Sequence, residues 1–182
     1  MSFQKCLQFI LISITAITAI FGCATITRES TVWKEEGASF AGYKNLEIHQ
    51  VFNATGKSFR LNISSALTGY MKEQIEKEYP PIKYPSKIKS EVLTVRSEIL
   101  AYIPYVERSF WSTGTKKVQC VVRTRLVDEN NYDLRSLAEI ETVIQGREPG
   151  YYFNKDQRFF LKETANEIVK EIVRIVRSEE RK

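Results

Sequence analysis

Alternation of apolar and polar residues runs through three consecutive segments, interrupted in the first by the polar Ser97, and it constrains the possible folds more than any other feature of this chain. The segments span residues 88–103, 116–128 and 134–145. Because successive strand side chains point to opposite faces, this alternation predicts an antiparallel sheet with one buried and one solvated face. The residues expected on the buried face are Leu93, Val95, Ile99, Ala101, Ile103, Val118, Cys120, Val122, Thr124, Leu126, Ala138, Ile140, Thr142 and Ile144.

Two longer segments show the helical period instead. Residues 58–78 carry one apolar stripe, with Ser58 as the expected N-cap. Residues 155–178 carry a second stripe, and Asn154 with Gln157 fits a capping box at its start. The two stripes comprise Phe59, Ile63, Leu67, Tyr70, Met71 and Ile75, and then Leu161, Ala165, Ile168, Ile172 and Ile175.

Another alternating segment, residues 43–53, precedes the first helix. The element order β-α-β-β-β-α predicts an α/β (α+β) two-layer sandwich, with a mainly antiparallel sheet and two helices on one face. We expect a single domain over residues 40–182. Residues 23–39 are polar and lack sustained periodicity, so they are predicted to form a tether ahead of that domain.

The N-terminal residues carry an export pattern. Lys5 precedes an apolar run from Phe9 to Phe21, and Gly22-Cys23 follows. This predicts a signal peptide over residues 1–22. A cysteine directly after a small residue is typical of bacterial lipoproteins, which are cut before that cysteine and acylated on its sulfur. An ordinary signal or an uncleaved anchor is the alternative, but the run is shorter than the ~20 residues of a spanning helix.

The location of the mature protein follows from the same pattern. Ala24 stands where an Asp often retains bacterial lipoproteins at the inner membrane, so we expect the periplasmic face of the outer membrane. The membrane is then a partner through the lipid on Cys23. The whole chain has 27 basic and 22 acidic residues, which are interleaved, so nucleic acid is not an expected partner.

Few residues of this sequence are candidates for a nucleophile, a metal ligand or an acid–base pair. Cys6 leaves with the signal peptide and Cys23 carries lipid, so Cys120 has no partner for an intrachain disulfide and is expected in the core. His49 and Cys120 supply at most two zinc ligands, so neither a metal nor another cofactor is predicted. Glu139 and Glu141 share a strand face about 7 Å apart. Paired carboxylates can hydrolyse sugars, but Arg123 or Arg125 could neutralise them, and we expect no enzyme.

Two aromatic segments are the stronger candidates for contact with a partner. One runs from the end of the predicted strand over residues 88–103 into a loop, and the other precedes the predicted helix over residues 155–178. Exposed apolar patches of this size usually mark interaction sites, although these side chains could instead cover the open end of the core. The candidate residues are Tyr102, Tyr105, Phe110, Trp111, Tyr151, Tyr152 and Phe153.

At the level of motifs, the chain resembles the bacterial lipoproteins of the domain of unknown function 4410 family. The matching stretches are Ser65-Ala-Leu-Thr-Gly69, Arg108 with Gly114, Arg125-Leu-Val-Asp128 and Ala165-Asn-Glu-Ile168, within residues 40–178. The resemblance implies an uncharacterised envelope lipoprotein with this order of elements.

Three functions are compatible with these features. The leading hypothesis is a non-catalytic, membrane-anchored lipoprotein whose periplasmic domain binds another envelope component, which is expected to be an envelope protein. The second is an auxiliary subunit or carrier of a lipid or solute export system, which requires an apolar pocket between helices and sheet. The third is a weak hydrolase that uses Glu139 and Glu141.

Overall fold

The computed structural model describes residues 25–79, 91–103, 116–129, 135–148 and 157–180. Within these ranges the chain forms two helices and six strands, in the α+β arrangement expected from the alternation. In chain order the elements are β1 (Thr25–Lys34), β2 (Asn45–Ile48), β3 (Phe52–Asn53), α1 (Ile63–Glu78), β4 (Val92–Ile103), β5 (Lys116–Asp128), β6 (Arg135–Glu148) and α2 (Gln157–Glu180).

The strands form one open sheet with the order β1-β6-β5-β4-β2, and β3 also pairs with β4. The pairs β1–β6, β6–β5 and β5–β4 are antiparallel. β2 and β3 run parallel to β4, because helix α1 crosses between them and returns the chain in the same direction. The predicted first strand therefore exists in two short pieces, and it finds its partner among the later strands as expected.

Both helices cover the same face of the sheet. Inward side chains of β4, β5 and β6 join the apolar stripes of α1 and α2 in one core cluster. Two polar residues in this face satisfy each other, since the hydroxyls of Ser97 and Thr124 lie 2.8 Å apart on neighbouring strands. This pair explains how a serine interrupts the apolar pattern without leaving an unpaired buried group.

The helices run in the same direction, with their C-terminal ends together. The Arg177 guanidinium donates to the carbonyl oxygen of Glu78 and lies 5.9 Å from the centre of the Tyr79 ring. Helix α1 begins at Ile63 and not near Ser58, so the predicted N-cap was wrong. The Asn62 side chain accepts a hydrogen bond from the Ser65 amide at 3.0 Å and caps the helix instead.

The alternation of β4 is broken by a bulge. Its register with β5 shifts between Ile99 and Ala101, so Leu100 is the extra residue. Beyond the bulge the faces are exchanged, and Tyr102 is buried while Ile103 is 41% exposed. The prediction that Ala101 and Ile103 point into the core was therefore wrong.

The predicted tether also needs correction, because residues 25–34 form an edge strand of the sheet. β1 pairs with β6 over its whole length, from Thr25 opposite Arg147 to Lys34 opposite Ala138. Of its inward positions only Ile26 and Val32 are apolar. The strand is held mainly by backbone hydrogen bonds to β6, which leave no apolar period in the sequence. The sheet thus includes residues 25–34, which precede the predicted domain start at residue 40.

Candidate functional site

One end of the sheet gathers the features that the sequence associates with membrane attachment and partner contact. β1 starts there, and the register brings Thr25 beside Arg147 and Arg147 beside Lys117. β4 ends at the same level, since Ile103 pairs with Gln119. We call this surface the Thr25 end. It comprises residues 25–28, 57–62, 102–103, 116–120, 144–148 and 157–163.

Helix α2 begins over the Thr25 end. Phe160, in its first turn, packs with Val118 and Ile144 in a small apolar cluster, and Ile26 and Phe159 pack against it. Gly146 leaves room for this ring, because a Cβ atom there would lie 2.8 Å from two ring carbons of Phe160. The glycine therefore permits the close approach of helix and sheet.

An ion pair ties the edge strand to the same helix. The Arg28 Nε atom donates to a Glu163 carboxylate oxygen at 3.0 Å, and a second guanidinium nitrogen contacts the same oxygen. Arg28 and Glu163 are far apart in sequence, so this contact fixes the start of β1 against α2. The start of β1, which follows Cys23 by two residues, is consequently packed against the folded domain.

Of the predicted contact residues, the structure describes only Tyr102. The bulge turns Tyr102 inward, where it is 4% exposed and its ring meets Phe59 edge-on with the ring centroids 5.1 Å apart. Tyr102 therefore belongs to the core and offers no ring to a partner. The other candidates, Tyr105, Phe110, Trp111, Tyr151, Tyr152 and Phe153, lie outside the described residues, as does Cys23.

The segments that contain those aromatic residues are nevertheless attached at one place. Residues 104–115 join Ile103 to Lys116, and residues 149–156 join Glu148 to the start of α2. All four attachment points lie at the Thr25 end. The topology thus brings together the attachment points of two predicted contact segments that are about forty residues apart in the sequence, near Thr25, which follows the predicted lipidation site by two residues.

The outward face of the sheet carries the two glutamates considered for hydrolysis. Arg123 Nε lies 3.1 Å from Glu139 Oε1, and Arg123 Nη2 lies 3.6 Å from Glu141 Oε2. Arg125 Nε lies 3.0 Å from the other Glu139 oxygen, and its Nη2 lies 3.4 Å from Glu98. The neutralisation by Arg123 and Arg125 is confirmed. These three strands present a ladder of opposite charges that stabilises a solvated face.

Cys120 lies in the core as predicted, with no exposed surface. Burial raises the pKa of its thiol from 9.0 to about 11, and a hydrogen bond with Thr164 opposes only part of that shift. At pH 8 the thiolate fraction is about 100-fold smaller than for a free thiol, so the sulfur is a poor nucleophile.

We expect Cys120 to resist a chromogenic disulfide reagent at pH 8 in the native protein, and to react at once in denaturant. Reaction at equal rates in both states would contradict its burial.

The raised pKa of Cys120 also makes the stability of the fold depend on pH. The unfolded chain deprotonates first, so the thiol favours the fold fully below pH 9 and loses that contribution as the pH approaches 11. A denaturation series across this range measures the loss.

His49 is half-exposed, as expected, and its Nε2 atom lies 3.6 Å from a Glu47 carboxylate oxygen. Within the described ranges, no group of three or more His, Cys, Asp or Glu residues is arranged to hold a metal ion. Nor does any helix in those ranges combine the length and apolar character needed to cross a membrane.

A groove of about 830 Å³ lies between the C-terminal halves of α1 and α2. The export-carrier hypothesis requires an apolar pocket. Among the described residues that line this groove, Val173 is apolar, and the long polar side chains beside it contribute mostly their carbon atoms. The lining residues are Gln74, Glu78, Asn166, Lys170, Val173, Arg174, Arg177 and Ser178. All of these described residues belong to the two helices, so this groove is not the pocket between helices and sheet that the export-carrier hypothesis requires.

The chain matches no protein-family model and no curated protein. Solved structures resemble it. A Xanthomonas campestris protein of the domain of unknown function 330 family is 9% identical, covers 82% of this chain and 94% of that protein, and has a TM-score of 0.50. The PelC dodecamer of Paraburkholderia phytofirmans is 10% identical over 80% of this chain and 97% of that one, with a TM-score of 0.49.

A minor lipoprotein of Acinetobacter baumannii is 11% identical over 76% of this chain and 95% of its own, with a TM-score of 0.43. The structural neighbours thus include bacterial lipoproteins. At these identities the likeness to the Xanthomonas protein shows a shared fold alone, and membership of the domain of unknown function 4410 family is not confirmed.

Proposed function

We propose that this chain is a bacterial envelope lipoprotein, acylated on Cys23, whose α+β domain binds another envelope component without catalysing a reaction. It resides at the periplasmic face of the outer membrane. One observation carries the proposal: the sheet begins at Thr25, and both aromatic segments are attached at that end.

Chain length supports a binding surface close to the bilayer. Thr25 follows Cys23 by two positions, so their Cα atoms lie at most about 7 Å apart. The acyl chains on Cys23 therefore hold the Thr25 end beside the headgroups, where it meets components that lie in or on the membrane. The engagement of Glu139 and Glu141 in ion pairs, and the burial of Cys120, support a domain that binds and does not react.

We expect Trp111→Ala to reduce recovery of the partner from detergent-solubilised envelope by at least about tenfold, because a buried tryptophan commonly dominates an interface. The fold should stay intact, as measured by thermal unfolding. Trp33→Ala is the matched control, since Trp33 is 56% exposed on β1 and lies towards the opposite end of that strand. Equal recovery with both variants would contradict the proposal.

A further inference from the structure

We propose that the Thr25 end is also a phospholipid-binding surface, whose cations contact the phosphate headgroups of the bilayer that holds the acyl chains. This inference rests on the proposed acylation of Cys23. It adds a second, electrostatic attachment and with it a fixed orientation of the domain on the membrane.

The sequence positions that form the Thr25 end are strongly basic. They include eight cationic residues against two acidic ones, Glu148 and Glu163. The cations are Arg28, Lys57, Arg60, Lys116, Lys117, Arg147, Arg158 and Lys162. They come from five separate segments of the chain, and only the pairing of the strands and the placement of the helix starts bring these positions to one end of the sheet.

Three of these cations are well placed to meet a flat surface. Arg60 precedes α1, and Arg158 and Lys162 lie in the first turns of α2, where their side chains are exposed. Because the two helices run in the same direction, both helix starts lie at the Thr25 end. The positive ends of both helix dipoles are directed towards the same side, and they add to the attraction for phosphate.

Among the described residues, the opposite end of the sheet has no such excess, because several of its cations are paired with acids. Arg135 pairs with Glu35 at 2.5 Å, and Arg96 pairs with Glu129 at 2.7 Å. Lys44 pairs with Glu91 at 2.5 Å. Among the described residues, the excess of cations over acids therefore lies at the Thr25 end.

The bilayer is the occupant that fits both the charge and the position. An acyl anchor within about 7 Å of Thr25 keeps the cations near the headgroups. Cations that approach the headgroups to within the Debye length, about 8 Å at physiological salt, attract anionic lipid without being fully screened. Each basic residue near an anionic membrane raises the affinity of the protein for that membrane by about fivefold.

The test uses the mature acylated protein, reconstituted into vesicles of phosphatidylcholine alone or with added phosphatidylglycerol. A cysteine replaces exposed Ser58 at the Thr25 end or exposed Glu36 at the other end, and it carries a fluorophore. A quencher on the lipid headgroups reports contact with the membrane. We expect at least about tenfold more docked domain with phosphatidylglycerol for the Ser58 label, reversed by high salt, and little change for the Glu36 label.

Matched variants identify the cations responsible. Arg60→Gln, Arg158→Gln and Lys162→Gln together should remove the tenfold preference. Arg96→Gln, Arg135→Gln and Lys72→Gln change the net charge equally and should keep it. Equal quenching on both lipids, or equal effects of both triple variants, would overturn this inference while leaving the anchor in place. A mass spectrum without acyl chains on Cys23 would instead refute the anchor and this inference together.

Discussion

Replacing Cys23 by serine is expected to abolish incorporation of labelled palmitate into this protein. Serine offers no thiol for acylation, and the lipoprotein cleavage pattern at Gly22-Cys23 is lost with it. The energetic effect is large. One myristoyl-length chain already gives a partition constant of about 10⁴ M⁻¹, and stable anchoring requires more than one lipid signal. We therefore expect affinity for vesicles to fall by at least about four orders of magnitude, measured with purified, signal-free protein.

Two other cysteines provide controls for that experiment. Cys6→Ser changes a residue of the predicted signal peptide, and Cys120→Ser changes a buried residue of β5. Both variants should still incorporate palmitate, because neither thiol stands after the small residue at the cleavage site. Label on the Cys23→Ser protein, or its loss from the Cys6→Ser protein, would remove the basis for an envelope lipoprotein.

The strands and helices with strong periodicity could be predicted from the sequence. The sequences of β4, β5 and β6 alternate because one face of each strand is buried beneath the helices, so about every second residue is apolar. β1 escaped prediction because it lies at the sheet edge, where Arg28 and Ser30 occupy inward positions. Backbone pairing with β6 holds it, and backbone pairing leaves no trace in the side chains.

The bulge at Leu100 shows a second limit of sequence patterns. An extra residue exchanges the two faces of a strand, so alternation read continuously through it assigns Tyr102 to the wrong side. A ring predicted to contact a partner is in fact packed against Phe59. The register with β5 decides the matter, and register depends on residues distant in the sequence.

The basic surface could not be predicted for a similar reason. Along the chain its cations are interleaved with acids, which favoured a mixed solvated surface. Arg60 and Arg158 are almost one hundred residues apart, and they share an end of the molecule because α1 and α2 run in the same direction. The cations gather at the Thr25 end because of the topology of the fold, and the amino-acid composition gives no indication of it.

The layered core makes a second large effect predictable. Ile140 is fully buried beneath the helices, at the centre of β6, where it pairs with Thr124 on one side and Val32 on the other. Ile140→Ala removes three carbon atoms from a packed layer that two flanking strands prevent from collapsing. We expect the free energy of unfolding to fall by about 3 kcal/mol. For a chain of this size, the melting temperature should fall by roughly 6–12 °C.

Val143→Ala provides the matched control, because Val143 lies on the same strand but on the outward face, where it is only partly buried. Water and neighbouring side chains can fill the space left there, so its loss should be under about 1 kcal/mol. Chemical denaturation of both variants measures the difference directly. Equal losses would mean that the helices do not cover the Ile140 face, and the parallel placement of α1 and α2 that concentrates charge at the Thr25 end would fail with it.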